Sequence, residues 1–236
     1  MIHRVLVKLS GEALKGGEED SILSEKELGG IAEQISALHA LGIEICIVVG
    51  AGNIWRGKLA ETLGLDPVKA DYMGMLGTEI NAIAIAETLK NRGVGSLVLS
   101  SIAMKPIAEQ YSPDAARSAL SAGKVVVFAG GTGNPFFTTD TGAALRAKEM
   151  GCDAILMGKN GVEGVYDSDP RKNKDARLLK ELTYSEVLEK NLQVMDGTAV
   201  SLLRESNIII RVFNMADPSN IVRAVKDPAL GTVIHR

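Results

Sequence analysis

Aromatic side chains are scarce: Phe, Trp and Tyr make up 4% of the 236 residues, while hydrophobic residues as a whole reach 46%. A core drawn from this pool is aliphatic, which suits an α/β protein. Cysteine is nearly absent. Cys46 and Cys152 lie far apart, in or beside apolar runs, so a disulfide-stapled scaffold is excluded and buried free thiols are expected. Excess charge is missing too. Lys and Arg total 26 against 29 Asp and Glu, a net −3, with no basic run. Nothing in the bulk charge draws the chain to nucleic acid or to a membrane surface, so any phosphate it handles must be met by local groups. No apolar stretch approaches the roughly 18 residues that span a bilayer. The N-terminus has neither the long apolar core nor the cleavage site of a signal peptide, so a cytoplasmic protein is expected. There is no repeat, low-complexity tract or linker, and 236 residues are ample for one core, which makes residues 1–236 a single domain.

What the chain does have is glycine, 25 in all, much of it just after apolar runs. The stretch that organises the rest is residues 130–141, Gly-Gly-Thr-Gly-Asn-Pro-Phe-Phe-Thr-Thr-Asp-Thr. It follows an apolar run at 125–129 and precedes a helical pattern at 142–150. Its glycines leave backbone amides open to a ligand, its threonines add hydroxyls, and Asp140 falls at a helix start, where phosphate is also favoured. Taken alone, it is equally an ordinary Gly/Thr-rich loop with a capping acid.

The remaining pattern alternates. Residues 2–9, 44–49, 96–99, 124–129, 154–157, 208–213 and 232–234 read as strands. Helices are expected at 28–41 after a Ser24/Glu27 capping box, up to about residue 63, then at 70–90, 113–121, 183–190 after Thr183/Glu186, 198–206 and 219–225. Residues 159–174 are turn-rich and charged. Strands alternating with helices imply a mainly parallel, right-handed sheet covered on both faces. Four strands end in glycine-bearing turns, at Ser10-Gly11, Gly50-Ala-Gly-Asn53, Gly130–Asn134 and Gly158–Gly161. In one parallel sheet these gather at one edge, where open α/β sheets bind ligands.

Two nucleotide motifs fail. Gly52-Asn-Ile-Trp-Arg-Gly57-Lys58 has the P-loop spacing, but Leu59 stands where a Ser or Thr must bind Mg²⁺. No Gly-x-Gly-x-x-Gly turn with a ribose-binding acid is present either. Phosphoryl transfer needs mainly positioned cations. Lys8 at a strand end and Arg56, whose fork suits phosphate, can supply them.

Lys8-Leu-Ser-Gly11, Gly50-Ala-Gly-Asn-Ile-Trp-Arg56, Asp71-Tyr-Met-Gly-Met-Leu-Gly77, Thr132-Gly-Asn-Pro-Phe-Phe-Thr-Thr139 and Tyr166-Asp-Ser-Asp-Pro170 together resemble the bacterial uridylate (UMP) kinases of the amino acid kinase superfamily, over essentially the whole chain. The resemblance implies a three-layer α/β/α sandwich with about eight strands, and the reaction ATP + UMP → ADP + UDP in pyrimidine biosynthesis. Lys8, Arg56 and Asp140 would be catalytic. Lys8, Leu9, Ser10, Gly11, Gly52, Arg56, Lys159, Asn160, Tyr166 and Asp169 would meet ATP. Ala51, Asp71, Thr132, Gly133, Asn134, Pro135, Phe136, Phe137, Thr138 and Thr139 would meet UMP, with Asp71 on the ribose. Mg²⁺ would ride on the ATP phosphates with no dedicated protein metal site. Members are commonly hexamers built from dimers, activated by GTP and inhibited by UTP, which points to Gly16, Gly17, Glu18, Glu19, Asp20 and Ser21 as a regulatory loop and to helices 28–41 and 70–90 as oligomer contacts. Two departures stand out: members often have three glycines where this chain has Gly50-Ala51-Gly52, and Phe at the position of Trp55. The rivals are a superfamily kinase acting on a carboxylate, carbamate or isopentenyl phosphate, and a nucleotide-binding storage protein of the same fold.

Overall fold

The computed structural model describes residues 2–16 and 21–236. Gly17, Glu18, Glu19 and Asp20, most of the expected regulatory loop, lie outside the described residues. Along the chain, β1 (Arg4–Leu9) leads through a 3-10 turn (Gly11–Leu14) to α1 (Glu25–Ala40) and β2 (Glu44–Val49). Next come α2 (Gly57–Thr62), α3 (Pro67–Asn91), β3 (Ser96–Ser100), β4 (Glu109–Gln110) and α4 (Pro113–Ser121). β5 (Val125–Ala129), α5 (Thr139–Met150) and β6 (Ala154–Lys159) follow, then the small pair β7 (Val165–Tyr166) and β8 (Leu178–Leu179). The chain closes with β9 (Glu181–Thr183), α6 (Tyr184–Glu189), α7 (Gly197–Leu203), β10 (Ile209–Asn214), α8 (Asn220–Lys226) and β11 (Thr232–His235).

Short-range chemistry sets the helix starts. Asp66 and Ser112 each cap a helix whose first turn holds a proline, and Thr138, Thr183 and Asp196 accept backbone amides of α5, α6 and α7, satisfying donors that a helix start leaves orphaned. The two expected capping boxes differ. At Thr183 both halves form. At Ser24 the hydroxyl accepts the Glu27 amide at 3.4 Å, but the Ser24 amide donates to the Leu14 carbonyl at 2.8 Å, so Glu27 has no amide to answer.

Nine strands form one sheet in the order β4-β3-β5-β2-β1-β6-β10-β11-β9. The run from β4 to β10 is parallel, and β11 turns antiparallel to β10 with β9 parallel to it. The count exceeds the expected eight because the edge strands β4 and β9, of two and three residues, are too short to carry a period-2 signal. Strand alternation divides the core. Val5, Val7 and Leu9 of β1 join Ile45, Ile47 and Val127 beneath α1, α3 and α8, whereas Leu6, Cys46, Val126 and Ile155 lie beneath α4, α5, α6 and α7. Each fully buried Leu or Ile contributes roughly 1.5–3 kcal/mol. The architecture is therefore the expected three-layer α/β/α sandwich. Both cysteines are buried and free, and hydrogen bonding with Cys152 together with burial pushes the Cys46 thiol up. Among the described residues no helix is long and apolar enough to cross a membrane.

The four strands that end in glycine turns, β5, β2, β1 and β6, are consecutive in this sheet and parallel. Their carboxyl ends meet at one edge.

Candidate active site

The turns after β1 and β2 are locked together. A side chain at Gly11 would lie 2.7 Å from the Gly52 nitrogen and 2.8 Å from the Gly50 carbonyl, and would strike Asn53 Oδ1, so this approach requires glycine. From α3, the fully buried Asn81 donates to the Gly50 carbonyl at 2.7 Å and to Asn53 Oδ1 at 2.8 Å. Leu9 spends its side chain in the core, and its carbonyl accepts the Gly50 amide at 2.9 Å. Arg56 folds back across both turns: its guanidinium meets Glu12 Oε1 at 2.6 Å and the Gly52 carbonyl at 3.2 Å, with 68% of the side chain exposed.

Lys8, on β1, reaches Asp140 of α5 at 2.7 Å. The pair meets off the hydrogen-bonding direction, so Asp140 Oδ1 is compensated by charge without an aligned donor. Lys159 closes β6 with its ammonium on the Val194 carbonyl at 2.7 Å. Burial lowers its pKa, Asp140 acts against that, and Lys8 adds to it. Two lysines and one acid thus share the end of β1 and β6. Arg56 shares this sheet edge but pairs with Glu12 rather than with Asp140.

Beside them a cleft of about 280 Å³ is lined by Ala51, Gly52, Trp55, Asp71, Gly131, Thr132 and residues 137–139, among others. Asp71 Oδ2 accepts the Phe136 amide at 2.6 Å, and Phe136 has φ 70° and is 74% exposed. Thr138 caps α5 and donates to Asp196 Oδ2 at 2.5 Å; Thr141 binds the same carboxylate at 3.0 Å. Burial works to raise the Asp196 carboxyl, but the Thr138 hydroxyl, the Ala199 amide and Thr141 outweigh it and hold it below its ordinary value. Of the residues expected around UMP, Ala51, Asp71, Thr132, Phe137, Thr138 and Thr139 line this cleft, while Gly133, Asn134, Pro135 and Phe136 form the loop outside its lining.

A second cleft, of about 400 Å³, collects Lys159, Asn160, Tyr166 and Asp169 from the segment after β6. Asp169 also organises its own turn, accepting the Arg171 amide at 3.0 Å. Because β1 lies between β2 and β6, Lys8 stands between the two clefts. Gly16 and Ser21 line neither cleft; the Ser21 hydroxyl donates to the Leu23 carbonyl.

Sequence reasoning missed four residues that shape this edge: Glu12, Asn81, Asp196 and the buried Glu79, whose Oε1 accepts the Ser100 hydroxyl. Only Asp196 carried a local signal, a capping acid ahead of an apolar helix pattern.

Comparisons with known proteins identify the family. A sequence profile of the amino acid kinase family matches residues 3–214, and the chain belongs to that family. Its relatives narrow the kinship to one branch. It is 48% identical to the uridylate kinase of Oenococcus oeni over 234 residues, 98% of this chain and 96% of that one. It is 45% identical to that of Mycoplasma capricolum over 232 residues, 98% and 97% of the two chains. Among solved structures it is similar to a UMP kinase from Ureaplasma parvum, with TM-score 0.96, 39% identity and full coverage of both chains. A UMP kinase from Bacillus anthracis gives TM-score 0.96 at 42% identity over 99% and 96%.

Proposed function

We propose that this chain transfers the terminal phosphoryl group of ATP to UMP, giving ADP and UDP. The observation that carries the reading is the Lys8–Asp140 pair, at 2.7 Å, on the strand that separates the two clefts. The cleft with Asp71 takes UMP, its ribose on the Asp71 carboxylate and its phosphate near Ala51, Gly52 and Thr138–Thr139. The second cleft takes the adenosine of ATP against Asn160, Tyr166 and Asp169, and the triphosphate runs back along Ser10 and Gly11.

In this arrangement Lys8 holds positive charge on the phosphoryl group in flight, and Asp140 keeps that ammonium at the strand end by charge. Preorganised charge of this kind acts without rearrangement at the moment of reaction. The UMP phosphate oxygen is already anionic, so no general base is required. Arg56 exchanges its Glu12 contact for donor and acceptor phosphates. Lys159 adds charge near ATP, its lowered pKa expressing the desolvation that makes the interaction strong. Mg²⁺ would arrive on the ATP phosphates and neutralise triphosphate charge there, with Asp140 as the acid available beside it.

The same reading includes a homo-oligomer. Met73, Leu76 and Ile80 of α3 are 40%, 47% and 47% exposed at i, i+3, i+7 spacing, one apolar stripe on a helix whose other face is already in the core. It also includes regulation by GTP and UTP, with residues 16–21 as the responding loop.

The test is a coupled ADP-release assay with UMP, CMP, dUMP, AMP, glutamate and carbamate as acceptors, repeated with GTP and UTP. Turnover with UMP above the others is the expected result. ATP and UMP binding without ADP release would overturn the proposal in favour of a storage protein. Preferential turnover of glutamate or carbamate would move the chain to another branch.

A further inference from the structure

We propose that Arg146 is a positioning residue for the UMP cleft, acting through Ser101 on the backbone of Gly131. The inference rests on the functional reading above and adds a residue two turns down α5 from the reacting end.

Arg146 is 4% exposed, and three partners surround its guanidinium. Nη1 pairs with Glu149 Oε2 at 2.5 Å, the group stacks on the Tyr111 ring at 3.7 Å, and Nη2 donates to Ser101 Oγ at 2.9 Å. Tyr111 in turn donates to the same Glu149 oxygen at 2.5 Å. Glu149 compensates the charge and Tyr111 covers the face, while Nε is left without a partner and the third contact satisfies Nη2. That contact leaves the cluster and crosses to the end of β3.

Donor chemistry gives the crossing a direction. A guanidinium only donates, so Ser101 Oγ must accept from Arg146, and its own proton is free to go onward. It goes to the Gly131 carbonyl at 2.9 Å. Such chained bonds polarise and orient one another. Gly131 lines the cleft that holds Asp71 and Thr132 and has φ 56°. Side-chain packing does not hold a glycine in that conformation, so its carbonyl is the available handle. Ser101 is otherwise anchored by its amide, which donates to the Ala129 carbonyl at 3.0 Å, making it a fixed post between a buried charge and a glycine turn.

A buried arginine with a purely structural role exists in the same chain for comparison. Arg211, 6% exposed, donates to the carbonyls of Ala224, Asp227 and Pro228 at the far end of β10, away from both clefts.

The experiment measures kcat, KM for UMP, KM for ATP and thermal midpoint for Ser101→Ala, Ser101→Thr, Arg146→Lys, the Ser101→Ala/Arg146→Lys double and Arg211→Lys. Loss of one oriented hydrogen bond predicts a roughly fivefold rise in KM for UMP with Ser101→Ala. Ser101→Thr, which keeps the hydroxyl, restores it to within about twofold. Arg146→Lys, which loses the fork, resembles Ser101→Ala, and the double variant is no worse than either single, because both cut one relay. KM for ATP and kcat stay near wild type. Arg211→Lys lowers the midpoint and leaves KM for UMP alone. An unchanged KM for UMP in Ser101→Ala, an equal loss in both substrates, or multiplying effects in the double variant would overturn the inference. Should Arg146→Lys not fold, the Ser101 pair decides. Wild-type protein that does not turn over UMP sinks the functional reading instead, whereas normal wild-type turnover with flat variants sinks only this one.

Discussion

The Ala51 methyl occupies the space that a side chain at position 77 would need: a Cβ on Gly77 would stand 2.8 Å from it. The departure at the second glycine turn is thus absorbed by α3. Ala51 is 9% exposed, and its methyl points at the helix as well as lining the cleft. Gly77→Ala alone forces helix and turn apart, an overpacking cost of about 1–3 kcal/mol that outweighs the roughly 1 kcal/mol gained from helix propensity. Adding Ala51→Gly removes the clash and leaves the propensity gain. Thermal unfolding and KM for UMP of the two singles and the double check this; two independent, additive losses would refute it.

Lys8→Ala should lower kcat by roughly 10²- to 10³-fold, as loss of a preorganised charge does, with little change in KM for UMP, because the interaction is made chiefly in the transition state. Steady-state kinetics on both substrates check this. A rise in KM alone would reduce Lys8 to a binding group.

Asp71→Ala should act the other way, raising KM for UMP by roughly tenfold or more, the scale of a lost charged acceptor, with kcat nearly kept. Asp71 also holds the Phe136 amide, so proteolysis of residues 130–138 should quicken in the variant. Unaltered UMP dependence would leave Asp71 a purely structural residue.

Glu79 supplies a pH prediction. Burial raises its carboxyl above the ordinary range, the Ser100 hydroxyl pulls it the other way, and no charged neighbour offsets the burial. A raised value in the fold means that the neutral acid is the better-tolerated form. Its stability contribution is therefore fully present below the ordinary glutamate pKa and is lost as pH rises through the raised one. Glu79→Gln removes this titration. The stability difference, variant minus wild type, should grow with pH across that window and then level off. Urea unfolding at a series of pH values measures it, and parallel curves would contradict the assignment.

How much could be read beforehand depended on the range of the interaction. β1, β2, β5 and β6 each carry four or more apolar residues leading to a glycine-bearing turn, so their existence, their parallel pairing and the meeting of their ends were legible. Helices α3, α4 and α6 were legible from Pro67, Ser112-Pro113 and Thr183 with Glu186, whereas the Asp66 cap of α3 went unread. Residues whose meaning depends on a distant partner were silent. Glu12 reads as a turn acid until Arg56 folds over it, Asn81 as one more polar position on a helix, and Glu79 as a surface glutamate until the sheet buries it. Even the Ser24 box, a local signal, was half overruled by Leu14, a residue ten positions earlier that claimed the amide. Edge strands β4 and β9 depend on their neighbours for their geometry and have no pattern of their own.

The place of β1 has a consequence for biosynthesis. Strand β1, which precedes β2 and β6 in the chain, is an interior one, flanked by β2 on one side and by β6 on the other. A nascent chain can zip β1 to β2 early, but the opposite margin of β1 stays bare until residues 154–159 have left the ribosome, and a bare strand margin invites pairing with other chains. Fragments ending before residue 154 should therefore self-associate, and the surroundings of Lys8 are completed only when most of the polypeptide has been synthesised.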